Sequence, residues 1–125
     1  MHLHRATVLG LILAACATPG LAQQRVEIDD LDADRLNARQ VLVEFEYDGS
    51  ACEEVGAAEL GAITDGTLAI AMPIVETADV CTMQIVEHDI KEAVSADMSV
   101  TRIEVTLLTA DGTPLATRSA RIDPD

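Results

Sequence analysis

The chain has 125 residues and a formal net charge of −14 at pH 7, because 22 acidic side chains outnumber eight lysines and arginines. Phosphate backbones and anionic lipid headgroups bind to clustered Lys and Arg, so a chain whose single lysine is Lys91 is poorly suited to nucleic acid. Phe45 and Tyr47 are the only Phe and Tyr, and Trp is missing, so the aromatic platforms typical of sugar and single-strand recognition are not provided.

Residues 1–22 are predicted to be a signal peptide. One fixed positive charge, Arg5, precedes a ten-residue apolar run over residues 6–15 (ATVLGLILAA), which is too short to span a bilayer. Small residues, Gly20 and Ala22, stand at the third and first positions before a peptidase site. We therefore expect cleavage between Ala22 and Gln23.

A second interpretation of the same segment is a lipoprotein signal over residues 1–15. The sequence LAAC at residues 13–16 resembles the bacterial lipoprotein motif, in which the cysteine, here Cys16, is acylated and becomes the new N-terminus. In the first case the mature protein is periplasmic or secreted, and in the second it is a membrane-anchored lipoprotein. Neither interpretation places a transmembrane span in the mature protein.

Two cysteines, Cys52 and Cys81, remain after either processing route. An even pair in an exported chain predicts a disulfide bond. In the chain-entropy model a loop of this length stabilises the fold by roughly 3.6 kcal/mol. A redox pair usually has the spacing C-x-x-C, and a tetrahedral thiolate metal site needs more ligands, so a structural disulfide is the favoured interpretation.

Residues 23–40 are predicted to be an acidic leader or a short peripheral helix. In the stretch from Asp29 to Gln40 the acids come first and Arg35 and Arg39 come last, which suits the dipole of a helix. The alternating acids of residues 30–34 also resemble the start of a helix-loop-helix calcium loop. That motif is excluded because its sixth position, a glycine, is Arg35 and its twelfth, a glutamate, is Val41.

Residues 41–125 are predicted to be a β domain because their apolar residues recur with period two. Asp-Gly pairs at residues 65–66 and 111–112 each separate two apolar runs and predict hairpins. Pro73 indicates an edge position or a strand end. The expected inner-face residues are Val41, Val43, Phe45, Tyr47, Leu68, Ile70, Met72, Ile74, Cys81, Met83, Ile85, Ile103, Val105 and Leu107.

About seven strands are expected, which predicts an all-β fold, a small antiparallel sandwich or barrel. The number and length of the expected strands resemble those of the immunoglobulin-like sandwich. The resemblance is one of architecture only, since the buried Trp and the Cys-Trp-Cys spacing are missing.

Candidate catalytic groups are few. His88 is the one histidine outside the leader, and extrapolation of its strand from Cys81 places it on the outer face without a role. The pairs Glu44 with Glu46, and Glu53 with Glu54, are expected to be solvated faces or loop ends. No catalytic, cofactor-binding or metal-binding residue is therefore predicted, and no cofactor.

These observations predict a non-enzymatic domain of the cell envelope that acts by binding an unidentified protein partner. An exported inhibitor of an enzyme or of a cationic peptide is the main alternative, because strong charge on a small disulfide-closed domain steers association. A metal-dependent hydrolase is the third and weakest hypothesis.

Overall fold

The computed structural model describes residues 26–124. The signal peptide, the cleavage between Ala22 and Gln23 and the acylation of Cys16 therefore lie outside the described residues. Within them the chain forms eight β-strands and no helix, so no helix there could cross a membrane. The strands are β1 (Asp29–Asn37), β2 (Gln40–Ser50), β3 (Glu53–Val55), β4 (Glu59–Thr64), β5 (Thr67–Glu76), β6 (Ile85–Ser95), β7 (Arg102–Leu108) and β8 (Pro114–Asp123).

The predicted all-β fold is confirmed. The strand order is β3-β5-β7-β8-β1-β2-β6, and β4 also pairs with β5. One half contains β1, β2 and β6, the other contains β3, β4, β5, β7 and β8, and a short parallel contact between β1 and β8 joins them. Of the seven pairings among the described residues five are antiparallel, and β5–β7 and β1–β8 are parallel. The chain leaves β5, builds β6 in the other half and returns as β7, which lets β7 run parallel to β5.

The core lies between the two halves and is almost entirely aliphatic. Buried residues of β2, β5 and β7 alternate with more exposed ones, as the period-two pattern predicts; the outward residues are mostly polar or charged in β2 and β7, whereas in β5 they include Ala69 and Ala71. Phe45 and Tyr47 are its two aromatic side chains. No polar or charged residue is buried among the described residues. The largest fully buried side chains are Tyr47, Phe45, Ile70, Met72, Ile103, Leu107, Val41, Val43, Val100 and Val105.

Residues 29–37 form strand β1, so the prediction of a short helix there is wrong. Leu31 and Ala33 are buried, whereas Asp30 and Asp32 are exposed, which is the two-residue period of a strand. The backbone of β1 pairs along most of its length with β2. Burial of Leu31 and Ala33 against the core outweighs the weak dipole preference of an isolated acidic helix.

Both Asp-Gly turns are present as predicted. Asp65 and Gly66 have φ angles of 50° and 81° between β4 and β5, the left-handed pair that a two-residue hairpin requires. Gly112 has φ 93° between β7 and β8, where its N–H donates to the Thr109 carbonyl over 2.9 Å. Asp111 accepts a hydrogen bond from the Thr109 hydroxyl in the same turn.

Pro73 lies inside β5 and not at an edge or a strand end. On one side it is the last residue of β5 paired with β7. On the other side, pairing with β4 ends at Ala71 and pairing with β3 begins at Ile74. A residue without an N–H is accommodated there because the neighbouring strand changes at this point.

Candidate functional site

The outer face of β1, β2 and β6 brings together acidic side chains from three strands. The strand registers place Asp32 opposite Glu44, and Glu46 opposite Asp89. We call this surface the acidic face; its six acids are Asp30, Asp32, Glu44, Glu46, Glu87 and Asp89. Lys91 is the one basic residue among them, 3.8 Å from the Glu44 carboxylate. Like charges opposite one another destabilise a sheet, so this surface is not arranged for stability.

Repulsion within the acidic face changes the ionisation of Glu46. The carboxylate of Glu87 is the largest cause that raises the pKa of Glu46 above its ordinary value; partial removal from water, Asp30, Asp89 and Asp29 follow. Carboxylate oxygens of Glu46, Glu87 and Asp89 lie within 4.8 Å of one another. The ionised face therefore holds electrostatic energy that a bound positive charge would release.

Neutralising Glu46 should stabilise the fold. Because its pKa is raised in the folded state, the group favours folding at low pH, and that contribution is lost as pH rises through the folded pKa. We expect Glu46→Gln to raise the thermal midpoint at neutral pH and low salt. The gain should fade at acidic pH and at about 1 M salt, where the Debye length is about 3 Å.

Glu104→Gln is the matched control for this change. Glu104 is an exposed glutamate on β7 whose register partner is Ser119, outside the acidic face. A thermal midpoint that rises equally in both variants, or that does not rise for Glu46→Gln at low salt, would contradict the proposed repulsion. Thermal unfolding followed by circular dichroism across pH and salt makes the comparison.

The Cys52–Cys81 disulfide is present, with the two Cα atoms 5.8 Å apart. It joins the turn after β2 to the segment before β6, which we call the disulfide loop (residues 77–84). Thr77 N–H donates to the Cys52 carbonyl over 2.8 Å, and Ala51 N–H donates to the Gln84 carbonyl over 3.0 Å. The loop is thus fixed to the β2–β3 turn near its beginning, at its cysteine and at its end.

The disulfide loop exposes large apolar side chains, contrary to the prediction that Cys81, Met83 and Ile85 point into the core. Met83 is 97% exposed, and Ile85, the first residue of β6, is 53% exposed. Val80 is 88% exposed. The period-two extrapolation fails for Cys81 and Met83 because β6 begins only at Ile85, and it fails for Ile85 because the even-numbered residues of β6 face inward.

Met83 and Ile85 also line a shallow pocket of about 350 Å³ beside the disulfide. A larger open cleft of about 600 Å³ adjoins it through Ile85 and Ser50. Its lining combines aliphatic side chains such as Ile74 with carboxylates such as Glu53. The apolar surface of the disulfide loop therefore continues into concave surface at this end of the fold.

His88 is half-buried on the inner side of β6, so its predicted position on the outer face is wrong. Its ring stacks on Tyr47, with centroids 4.9 Å apart and planes 16° from parallel. His88 Nε2 lies 2.8 Å from the Ser50 carbonyl oxygen, which accepts, so Nε2 carries the proton of this hydrogen bond. The histidine thus ties β6 to the end of β2, close to the disulfide.

Tyr47 is buried and donates its hydroxyl hydrogen bond to Glu53 over 2.9 Å. Burial is the largest cause that raises the pKa of Tyr47 above its ordinary value, and the hydrogen bond to Glu53 and the negative charge of Glu53 act in the same direction. Glu53 therefore anchors the β2–β3 turn to a buried side chain of β2. From the sequence alone, only a solvated loop end is expected at this position.

Tyr47 should remain protonated until the protein unfolds. A folded-state pKa above the unfolded value contributes stability below about pH 10, and this stability is lost as pH rises further. Because Tyr47 is the only tyrosine, ultraviolet absorbance reports it alone. On alkaline titration of the wild-type protein we expect tyrosinate absorbance and loss of circular dichroism to appear together. The Tyr47→Phe variant should lose less stability than the wild type over the same alkaline range. Tyrosinate formed in the folded protein would contradict this.

The described residues contain one group of three side chains able to supply metal ligands, Glu46, Glu87 and Asp89 on the acidic face. All three lie on a solvent-facing sheet surface. Asp30, Asp32 and Asp34, which resembled the start of a calcium loop, lie along strand β1 instead. The sequence did not indicate the acidic face, because it depends on pairing between strands far apart in the chain.

No protein-family model matches the chain, and comparisons with curated proteins and with solved structures also found no match. The disulfide is compatible with an oxidising compartment outside the cytoplasm.

Proposed function

We propose that this protein is a non-enzymatic binding domain of the cell envelope that recognises another protein through the disulfide loop. The observation that carries the proposal is the exposure of Val80, Met83 and Ile85 on a segment fixed to the β2–β3 turn. Single exposed apolar residues are ordinary, but three within six residues beside a disulfide form a preorganised contact surface. Preorganisation lowers the entropy lost on association.

The composition of the loop fits a protein partner better than a charged small ligand. Methionine is adaptable and is common at binding surfaces, and branched aliphatic side chains bury well against a partner's apolar residues. The shallow pocket that Met83 and Ile85 line can receive a side chain from the partner. Glu87 of the acidic face follows Ile85 on the same face of β6 and would border this apolar contact as part of a polar rim.

Chemical crosslinking in native envelope extracts tests the proposal. We expect a stable adduct with a second protein, and we expect Met83→Ser to reduce it while the fold remains intact. Glu104→Gln, on a different strand, should leave the adduct unchanged. An exhaustive screen that returned only monomer would contradict the proposed function.

Export is a part of the same proposal, and processing has two routes. Cleavage between Ala22 and Gln23 gives a soluble periplasmic or secreted domain, whereas acylation at Cys16 gives a membrane-anchored lipoprotein. The intact mass of the native protein, measured before and after reduction, distinguishes the routes by the first residue and by acyl chains. A native mass that retains residues 1–22 without acylation would contradict both.

Inhibition of a cationic enzyme or peptide is a second candidate function, which the acidic face favours. Opposite charge accelerates encounter, and the acceleration falls with ionic strength. If the protein is such an inhibitor, its association rate should fall steeply as salt is added. A rate that does not change with salt would argue against this function and leave apolar recognition by the loop unaffected.

A further inference from the structure

Strand β6 is an eleven-residue edge strand that continues directly from the disulfide loop. Among the described residues it forms a backbone ladder with β2 alone, and the Glu92 side chain accepts a hydrogen bond from the Ala58 N–H over 3.2 Å. An exposed edge of this length presents a row of backbone donors and acceptors, which another strand can use.

The register identifies which backbone groups of β6 face away from β2. Ala51 N–H bonds to the Gln84 carbonyl just beyond one end of the β2–β6 pair, and Ala96 N–H bonds to the Arg39 carbonyl just beyond the other. Bonded and non-bonded pairs alternate in an antiparallel ladder. Gln84 and Ala96, which flank β6, are both even-numbered. The even-numbered residues of β6 therefore form the backbone hydrogen bonds with β2, and the odd-numbered residues point their backbone groups away from it. The outward backbone groups belong to the six odd-numbered residues of β6, Ile85, Glu87, Asp89, Lys91, Ala93 and Ser95.

The same residues place their side chains on the outer face of the sheet, and all six are exposed. A strand added at this edge would therefore have every second side chain beside Glu87 and Asp89, at cross-strand distances of about 4.5–5.5 Å between Cβ atoms. These two carboxylates already lie close to that of Glu46. A basic side chain there would relieve their repulsion, whereas an acidic one would increase it.

We infer that the free edge of β6 accepts an extended segment of the partner protein as an added β-strand, with Lys or Arg at alternate positions opposite Glu87 and Asp89. This inference rests on the proposed protein-binding function and names the chemistry of its partner. Backbone hydrogen bonds to the edge supply affinity, and the acidic face selects basic segments. One end of the added strand reaches Ile85 and the disulfide loop, where apolar contact completes the interface.

A second copy of this chain fits the edge less well. A symmetric antiparallel pair that sets Glu87 opposite Lys91 also sets Asp89 opposite the same residue of the other copy. Each chain further carries a formal net charge of −14. Long-range repulsion therefore opposes self-pairing, and charges on an edge strand serve the same purpose in other sheet proteins.

Amide hydrogen exchange measured by NMR, with a blocked peptide of alternating valine and lysine as the probe, tests the inference. In the free protein the even-numbered amides of β6 should exchange slowly, and those of Glu87, Asp89 and Lys91 quickly. The peptide should slow the exchange of these three by at least about tenfold. A peptide of valine and glutamate should not. Binding without this protection, or no binding at millimolar peptide, would overturn the inference.

Two variants separate backbone pairing from charge. Ala93→Pro removes an outward N–H and alters neither the charge nor the bonds to β2, so it should weaken peptide binding by about fivefold. Ala93→Thr retains the N–H and should change binding by less than about twofold. Glu87→Gln combined with Asp89→Asn should weaken binding by about tenfold and flatten its salt dependence. Equal affinity of the proline and threonine variants would overturn the added strand.

The outcomes for the edge and for the proposed function are distinguishable. If Ala93→Pro has no effect while the envelope crosslink still depends on Met83, the edge inference fails and loop recognition stands. If no envelope protein crosslinks at all, the proposed function fails. Protection of Glu87 and Asp89 that appears with protein concentration alone, together with a doubled mass, would assign the edge to a second copy and overturn the inferred partner.

Discussion

Replacing Cys52 and Cys81 together with alanine is expected to lower the free energy of unfolding by about 3.6 kcal/mol, as the chain-entropy model gives for this loop length. The residues are 29 apart in sequence, so the reduced unfolded chain regains the freedom of a long loop. Small domains have total stabilities of about 5–15 kcal/mol, and the double variant should therefore be marginal. Urea denaturation followed by circular dichroism measures the change.

The wild-type protein, reduced and alkylated, is the control for this experiment. It should match the alanine variant in its unfolding midpoint. This result would show that the loss of stability comes from the missing disulfide bond and not from the smaller side chains. We expect the denaturant slope to rise in both, because an unfolded chain without the crosslink exposes more surface. A loss below about 1 kcal/mol would mean that the backbone bonds of Thr77 and Ala51 hold the disulfide loop without it.

Two methionines that both follow a period-two pattern in the sequence should differ strongly in the stability that each loses on substitution by alanine. Met72→Ala is expected to lower the free energy of unfolding by about 2–5 kcal/mol, because the side chain is 0% exposed and its removal leaves a cavity in the core. Met83→Ala should change it by less than about 0.5 kcal/mol, as at other exposed positions. Denaturant unfolding of the two variants and the wild type compares them directly.

The pair also separates folding from recognition. Met83→Ala should retain the fold and lose crosslinking to the partner, whereas a loss of crosslinking in Met72→Ala would reflect its lower stability. A fall of more than about 2 kcal/mol for Met83→Ala would mean that this side chain packs in the protein, and the disulfide loop would no longer be an exposed contact surface.

The parts of the fold that could be predicted are those in which local pattern and burial agree. Strand β2 alternates large apolar and charged residues, and the Asp65-Gly66 and Asp111-Gly112 turns need positive φ angles that few other residues adopt. Strand β1 was missed because its inward residues, Leu31 and Ala33, include one small side chain among many acids. The alternation of Leu31 and Ala33 with Asp30, Asp32 and Asp34 was the available signal.

The disulfide loop could be predicted only in part. The pairing of Cys52 with Cys81 followed from their number, but the exposure of Met83 did not follow from its periodicity. A single apolar alternation cannot show where a strand begins, and β6 begins four residues after Cys81. For the same reason the sequence pattern assigned His88 to the wrong face of β6. Its stacking on Tyr47 depends on the β2–β6 register, which is set by long-range pairing.

The acidic face and the free edge of β6 could not be predicted from spacing, since both are products of topology. Glu46 and Asp89 are far apart in the chain, and only the pairing of β2 with β6 makes them neighbours. Net charge was compatible with a cationic partner but did not indicate that one binds, or where. The fold places acidic side chains beside an edge strand and an exposed apolar loop, and our proposal of a basic, extended segment of another protein as the partner rests on these three features together.

Site-specific photo-crosslinking in intact cells tests whether the disulfide loop contacts another protein. A photoreactive amino acid replaces Met83 in the disulfide loop or, as the control, Glu104 on β7, and the adducts are compared after illumination. We expect one discrete adduct with an envelope protein from position 83 and none from position 104. No adduct from position 83, or the same adducts from both positions, would contradict recognition through the disulfide loop.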